Sequence, residues 1–159
     1  RLRSRGLGDV YKRQREEIAV SALSEVVILA KNLASIEERS LTLCGSIDGK
    51  SCIDAEQYNW PGWILFYDEA SFIPSPDTLI HYFSSENLHP FNLTIKTSRN
   101  IGGGLNVGPR RQYAYGMARS ISNGRIDLCR SDHQATDQYT SIVINVYGYA
   151  RIEKKRGAC

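Results

Sequence analysis

The sequence predicts an α+β fold in which one long N-terminal amphipathic helix packs on antiparallel β-sheets. Three observations carry the prediction: one stretch of helical apolar periodicity near the start, a succession of short strand-like runs after it, and glycine-, proline- and aspartate-bearing turns between them. At 159 residues the chain suits a single domain with its own core.

From Arg15 to about Arg39, Ile18, Ala22, Val26, Ala30 and Ala34 recur at four-residue spacing, with Ala19, Leu23, Val27 and Leu33 beside them. Glu16, Glu17, Glu25, Lys31, Asn32, Glu37 and Glu38 fall mostly off that stripe. A helix of about six turns in so small a domain lies across a sheet. Residues 1–14 have no apolar periodicity and no signal-peptide core, and resemble a translated sequencing-adaptor string. They are expected to be a disordered, non-native leader ahead of one domain at 15–159, a helix at about 15–39 and a β-rich head at about 40–159. No run of eighteen apolar residues occurs, so no transmembrane helix is expected in the chain as given.

Ser40–Cys44 alternates polar and apolar residues, and Ile47-Asp48-Gly49-Lys50 is a turn that brings the chain back to Cys52. Trp63–Tyr67 is a strongly apolar strand, and Asp68–Pro76 a loop whose prolines exclude a central strand. Leu79–Phe83 and Leu93–Thr97 are short strands, and Ile101–Pro109 is a glycine-rich link. Gln112–Met117, Gly124–Cys129 and Ser141–Tyr147 complete the strands, the last being dominated by β-branched residues.

Of the formal charge of +3, the first fourteen residues hold +4, five basic groups against Asp9, which leaves 15–159 at −1. Arg151, Lys154, Lys155 and Arg156 against Glu153 form a +3 tail on a body of −4. Such a tail can contact nucleic-acid phosphates, with salt-dependent affinity, or be an ordinary solvated terminus. The four cysteines show no C-x-x-C spacing and no nearby histidine pair, which argues against zinc. They permit three disulfide pairings; proximity favours Cys44 with Cys52, and elimination leaves Cys129 with Cys159. Disulfides would place the domain in an oxidising compartment; four reduced, buried cysteines are the alternative.

No constellation for catalysis, metal or cofactor is visible. Gly102-Gly103-Gly104 lacks the lysine and following helix of a phosphate loop and reads as a flexible loop. His81, His89 and His133 are far apart, and the neighbours Asp68 and Glu69 point to opposite sides of a strand, which suits turn duty better than acid–base work. Trp60, Trp63, Phe66 and Tyr67 fit core filling better than a ligand platform.

The order of these features resembles the GspH/FimT-type minor pseudopilins of type IV pili and type II secretion systems. The resemblance runs through Leu41-Thr-Leu-Cys44, Asp48-Gly49, Cys52, Trp60-Pro-Gly-Trp-Ile-Leu-Phe-Tyr-Asp68, Leu105-Asn-Val-Gly-Pro-Arg110 and Gly124-Arg-Ile-Asp-Leu-Cys129, and covers nearly everything from Arg15 onward. It implies a prepilin leader and an apolar helix half ahead of this chain, anchoring the subunit in the bacterial inner membrane with a periplasmic head. Other minor and major pilins or pseudopilins are the implied partners. Some FimT-like members bind DNA through a C-terminal Gly-Arg-x-Arg motif; here Gly148-Tyr149-Ala150-Arg151 has Tyr149 at the first arginine. The implied function is therefore assembly, with DNA capture through Arg151, Lys154, Lys155 and Arg156 as the alternative.

Overall fold

A computed structural model describes residues 3–84, 93–118, 123–130 and 134–159. Helix α1 spans Arg3–Glu37 and is followed, among the described residues, by ten strands. Strands β4 (Leu79–Phe83), β3 (Trp63–Tyr67), β1 (Leu41–Gly45), β6 (Gly104–Val107) and β7 (Tyr115–Gly116) form the first sheet in that order. The second is ordered β10 (Ala150–Arg156), β9 (Gln138–Ile144), β8 (Gly124–Arg130), β5 (Leu93–Thr97) and β2 (Asn59–Trp60). Every pairing is antiparallel, so the predicted fold class holds.

The helix buries Ala19, Leu23, Val26, Val27, Ala30 and Ala34, a stripe at three- and four-residue steps. These residues share one core with Leu41, Leu43, Leu105 and Val107 of the first sheet and Ile126, Leu128, Ile142 and Ile144 of the second. Glu38 ends the helix in the left-handed region at φ 52°, and the Arg39 N–H reaches back to the Ala34 carbonyl at 3.3 Å.

Three expectations about α1 need correction. The helix begins at Arg3, ahead of the Arg15 start that periodicity predicts, as propagation from an established helix allows. Ile18 is exposed rather than part of the core stripe. Lys31, placed with the polar positions, is buried: its Nζ donates to the Gly108 carbonyl at 2.7 Å and the Arg110 carbonyl at 2.5 Å, which replace water around the ammonium. Gly6–Glu37 is also long and apolar enough, by length and composition alone, to cross a membrane, although a strict count of consecutive apolar residues misses it. Here the helix contacts β1, β6 and β10.

The strands also differ in places from their predicted bounds. Gly104–Val107 is a central strand instead of a link, because its small first residue lets the chain pass against Cys44 and Phe72. Only Tyr115–Gly116 of Gln112–Met117 is strand, since the Gln112 N–H turns back to Pro109 and the Ala114 N–H bonds the Val146 carbonyl. β9 runs three residues earlier than predicted because Asn145 forms a turn, its Oδ1 accepting the N–H groups of Tyr147 and Tyr149. That turn, with Gly148 at φ +84°, feeds the basic segment straight into β10.

Candidate functional site: a basic sheet face and an uncovered helix stripe

The basic segment is an edge strand, and a strand sends alternate side chains to opposite faces. Register makes the division explicit. Ile152 lies opposite Ile142 and Lys154 opposite Thr140, so the even-numbered positions share the helix-facing side of the second sheet. Arg151 lies opposite Val143, Glu153 opposite Ser141 and Lys155 opposite Tyr139, on the outward side. The four cations Arg151, Lys154, Lys155 and Arg156 are thus separated by the strand into two pairs.

On the outward side Arg151 Nε donates to Glu153 at 2.7 Å, and Lys155 Nζ lies 3.7 Å from the same carboxylate. Lys154 Nζ donates to Thr140 Oγ1 at 2.7 Å on the other side. The outward face continues across β9 to Arg125, which lies opposite Val143 and so shares a row with Arg151. Arg125 Nε donates to Asp127 at 2.8 Å, and Ser141 Oγ donates to the same carboxylate at 2.6 Å. The hydrogen bond and charge of Asp127 hold Arg125 still more firmly protonated. A shallow cavity of about 520 Å³ beside β5 is lined by Lys96, Arg130 and the Cys129–Cys159 link; another of about 450 Å³ brings Arg99, Arg125 and Lys155 together.

Arg99 and Arg125 join Lys155 on this basic face, which reading the tail alone misses. Their signal lies in the charge of the chain's halves: residues 37–92 hold two basic against nine acidic groups, −7, whereas 93–159 hold eleven against four, +7. The tail is one part of a basic second half.

Two disulfides frame these surfaces. Cys44 joins Cys52 with Cα atoms 5.6 Å apart, closing the loop that contains the Asp48-Gly49 turn. Cys129 joins Cys159 at 5.8 Å, tying the end of β8 to the residues after β10, where Lys96 Nζ donates to the Cys159 carbonyl at 2.9 Å. In the first loop the N–H groups of Lys50 and Ser51 hold the Asp48 carboxyl down at about 2.

The remaining candidates have structural duties. Trp60, Trp63 and Phe66 are buried, so they offer no platform; Trp63 stacks on Phe83 with centroids 4.1 Å apart. Tyr67 is half-buried under the Arg39 guanidinium and bonds Glu37, which raises its pKa. The glycine run is not a flexible loop: the Gly102 carbonyl accepts from Trp60 Nε1 and Thr97 Oγ1, and the N–H groups of Gly102 and Gly103 bond Ser98 and Ala55. Asp68 organises the loop after β3, accepting from Thr42, Ser71 and Phe72. His81 is an exposed β4 residue, while His89 and His133 lie outside the described residues. Among the described residues no group of three or more histidine, cysteine or carboxylate side chains could hold a metal.

The helix carries a second apolar feature, of which the predicted core stripe took in Ile18 alone. At 100° per residue, Leu7, Tyr11, Ile18, Leu29 and Ile36 fall within about 40° of one another, on the side away from the buried stripe. They are 40–78% exposed. Exposed Glu25 falls on the same side between Ile18 and Leu29, so the row is apolar toward both ends of the helix and charged at its middle.

No protein-family model matches the chain, and no curated protein sequence matches it. Among solved structures it is similar to the type IV minor pilin FimU of Pseudomonas aeruginosa strain PAO1. One crystal form aligns at a TM-score of 0.60 and 17% identity over 89% of this chain and 90% of that one. A second aligns at 0.54 and 16%, over 89% and 91%. At that identity the likeness is one of fold: a long N-terminal helix on two antiparallel sheets, the type IV pilin architecture that FimU also has.

Proposed function

We propose that the chain is an assembly subunit, a minor pilin or pseudopilin of the GspH/FimT kind, that works by interface complementarity and not by catalysis. The carrying observation is the uncovered apolar row on α1, joined to a fold shared with a minor pilin. Packing against the helices of neighbouring pilins would bury the exposed parts of Ile18, Leu29 and Ile36, each gaining less than the roughly 1.5–3 kcal/mol of a side chain buried from full exposure, Leu29 least at 40% exposed. Two disulfides suit a head in an oxidising space such as the periplasm.

The test is a full-length protein bearing Ile18→Arg, Leu29→Arg and Ile36→Arg, produced in a pilus- or pseudopilus-forming host. The exposed substitutions leave the thermal midpoint of the purified head nearly unchanged, while the variant disappears from sheared filament fractions. A variant that enters filaments as wild type does would refute the reading.

A further inference from the structure

We propose that the outer edge of β4 takes up an extended strand from another protein, a segment with apolar side chains in its middle and basic ones at its ends. The inference does not depend on the assembly reading, and it names a backbone contact that the helix row cannot make.

Among the described residues the two sheets have four edge strands, and β4 is unlike the other three. β2 and β7 are two residues long, and β10 carries Arg151, Lys154, Lys155 and Arg156, so each is short or charged in the way that discourages strand pairing. β4, Leu79-Ile-His-Tyr-Phe83, has five residues and no proline, lysine, arginine or carboxylate. β3 runs along one side of it, and among the described residues no backbone hydrogen bond outside that ladder reaches Leu79–Phe83. The N–H and C=O groups on its far side are half of a ladder, which an added strand completes.

Register places the side chains such a strand would meet. Leu79 lies opposite Phe66 and Tyr82 opposite Ile64, and Phe66 and Ile64 cluster with Cys44 apart from the helix-facing core. Leu79 and Tyr82 are 40% and 44% exposed. Apolar side chains on an added strand would extend that row and cover both.

Charge narrows the occupant further. Residues 51–95 contain six carboxylates and no lysine or arginine. Asp77 lies two residues ahead of β4, and Glu69 two residues beyond the end of β3 that meets Leu79. Both are exposed, and no described residue engages their carboxylates. At the other end the Tyr82 ring lies so close to Gly49 that a Cβ there would be 2.6 Å from it, which sets the ionised Asp48 beside that end. Basic residues flanking the apolar middle would therefore meet carboxylates at both ends. A second copy fits less well. With both helices on the same side of the joined sheets, its β10 would set Arg151, Glu153 and Lys155 against Leu79 and Tyr82.

The experiment is amide hydrogen exchange by NMR on the oxidised, nitrogen-15-labelled chain. The probe is the end-blocked peptide Lys-Lys-Val-Thr-Val-Thr-Val-Lys-Lys, with a counterpart carrying glutamate for each lysine. The lysine peptide is expected to slow exchange of the outward-facing β4 amides and to leave those of β10 unchanged. The glutamate peptide binds at least about tenfold more weakly at low salt. Leu79→Lys/Tyr82→Lys and Glu69→Gln/Asp77→Asn each weaken binding of the lysine peptide at least about tenfold. Thermal melts check that both variants fold, and the second, which leaves β4 itself intact, tests the charge arm alone. No slowing at β4 with millimolar peptide, slowing at β10 instead, equal binding of the two peptides, or variants that bind as wild type does overturns the proposal. Self-association of wild type that Leu79→Lys/Tyr82→Lys abolishes assigns the edge to a second copy and overturns the choice of partner. None of these outcomes touches the filament assay of the helix row, so the two readings fail separately.

Discussion

Lys31 on the helix donates to the carbonyl of Gly108, 77 residues further along the chain, at 2.7 Å. With the Arg110 carbonyl at 2.5 Å and the Tyr149 ring centroid at 5.0 Å, it pins the loop after β6 and the turn before β10 to one helical turn. Arg110 sits in the left-handed region at φ 47°, a conformation that surrounding contacts must hold.

Replacing this lysine with methionine keeps the packed stem and removes the donor. Two carbonyls then lose a charged partner, and Lys31→Met is expected to lower unfolding free energy by about 1–3 kcal/mol in urea denaturation. An unchanged midpoint would show that water replaces the ammonium without loss.

The two disulfides differ in the chain length they close. In the chain-entropy description, opening the Cys129–Cys159 bridge, with a sequence separation of 30, costs about 3–4 kcal/mol, and opening Cys44–Cys52, with a separation of 8, costs about 2.5 kcal/mol. Cys129→Ser/Cys159→Ser is therefore expected to melt lower than Cys44→Ser/Cys52→Ser. The reverse order in calorimetry would show that the first loop contributes through native packing instead.

Asp48 supplies a pH dependence whose direction is set by its hydrogen bonds. Its folded-state pKa is depressed to about 2 from 3.8, so its contribution to stability is complete above the unfolded value and is lost as pH falls from about 4 to 2. Wild type should lose stability across that window more steeply than Asp48→Asn, read as denaturation midpoints at pH 5, 3 and 2. Parallel curves for the two proteins would contradict the assignment.

Much of the fold is legible from local pattern. The apolar spacing of Leu23, Val26, Val27, Ala30 and Ala34 announces a helix face, and Trp63–Tyr67 and Leu93–Thr97 occupy the predicted strand positions. Less was legible of the candidate site. A run of charges such as Arg151–Arg156 reads as one patch in a linear string, whereas the two-residue period of a paired strand separates it. Lys31 looks polar because only its partners, 77 and 79 residues away, make burial tolerable.

By itself the sequence determined the α+β class, the existence of the helix and most strands, and the turn chemistry around Asp48-Gly49, because these depend on short-range periodicity and backbone preference. Only the tertiary structure decided that the basic segment is the edge of a five-stranded sheet and that Arg151 shares a row with Arg125. It also decided that one row of the helix is left uncovered. Those facts depend on register and on which faces meet, and both are fixed by contacts between residues distant in the chain.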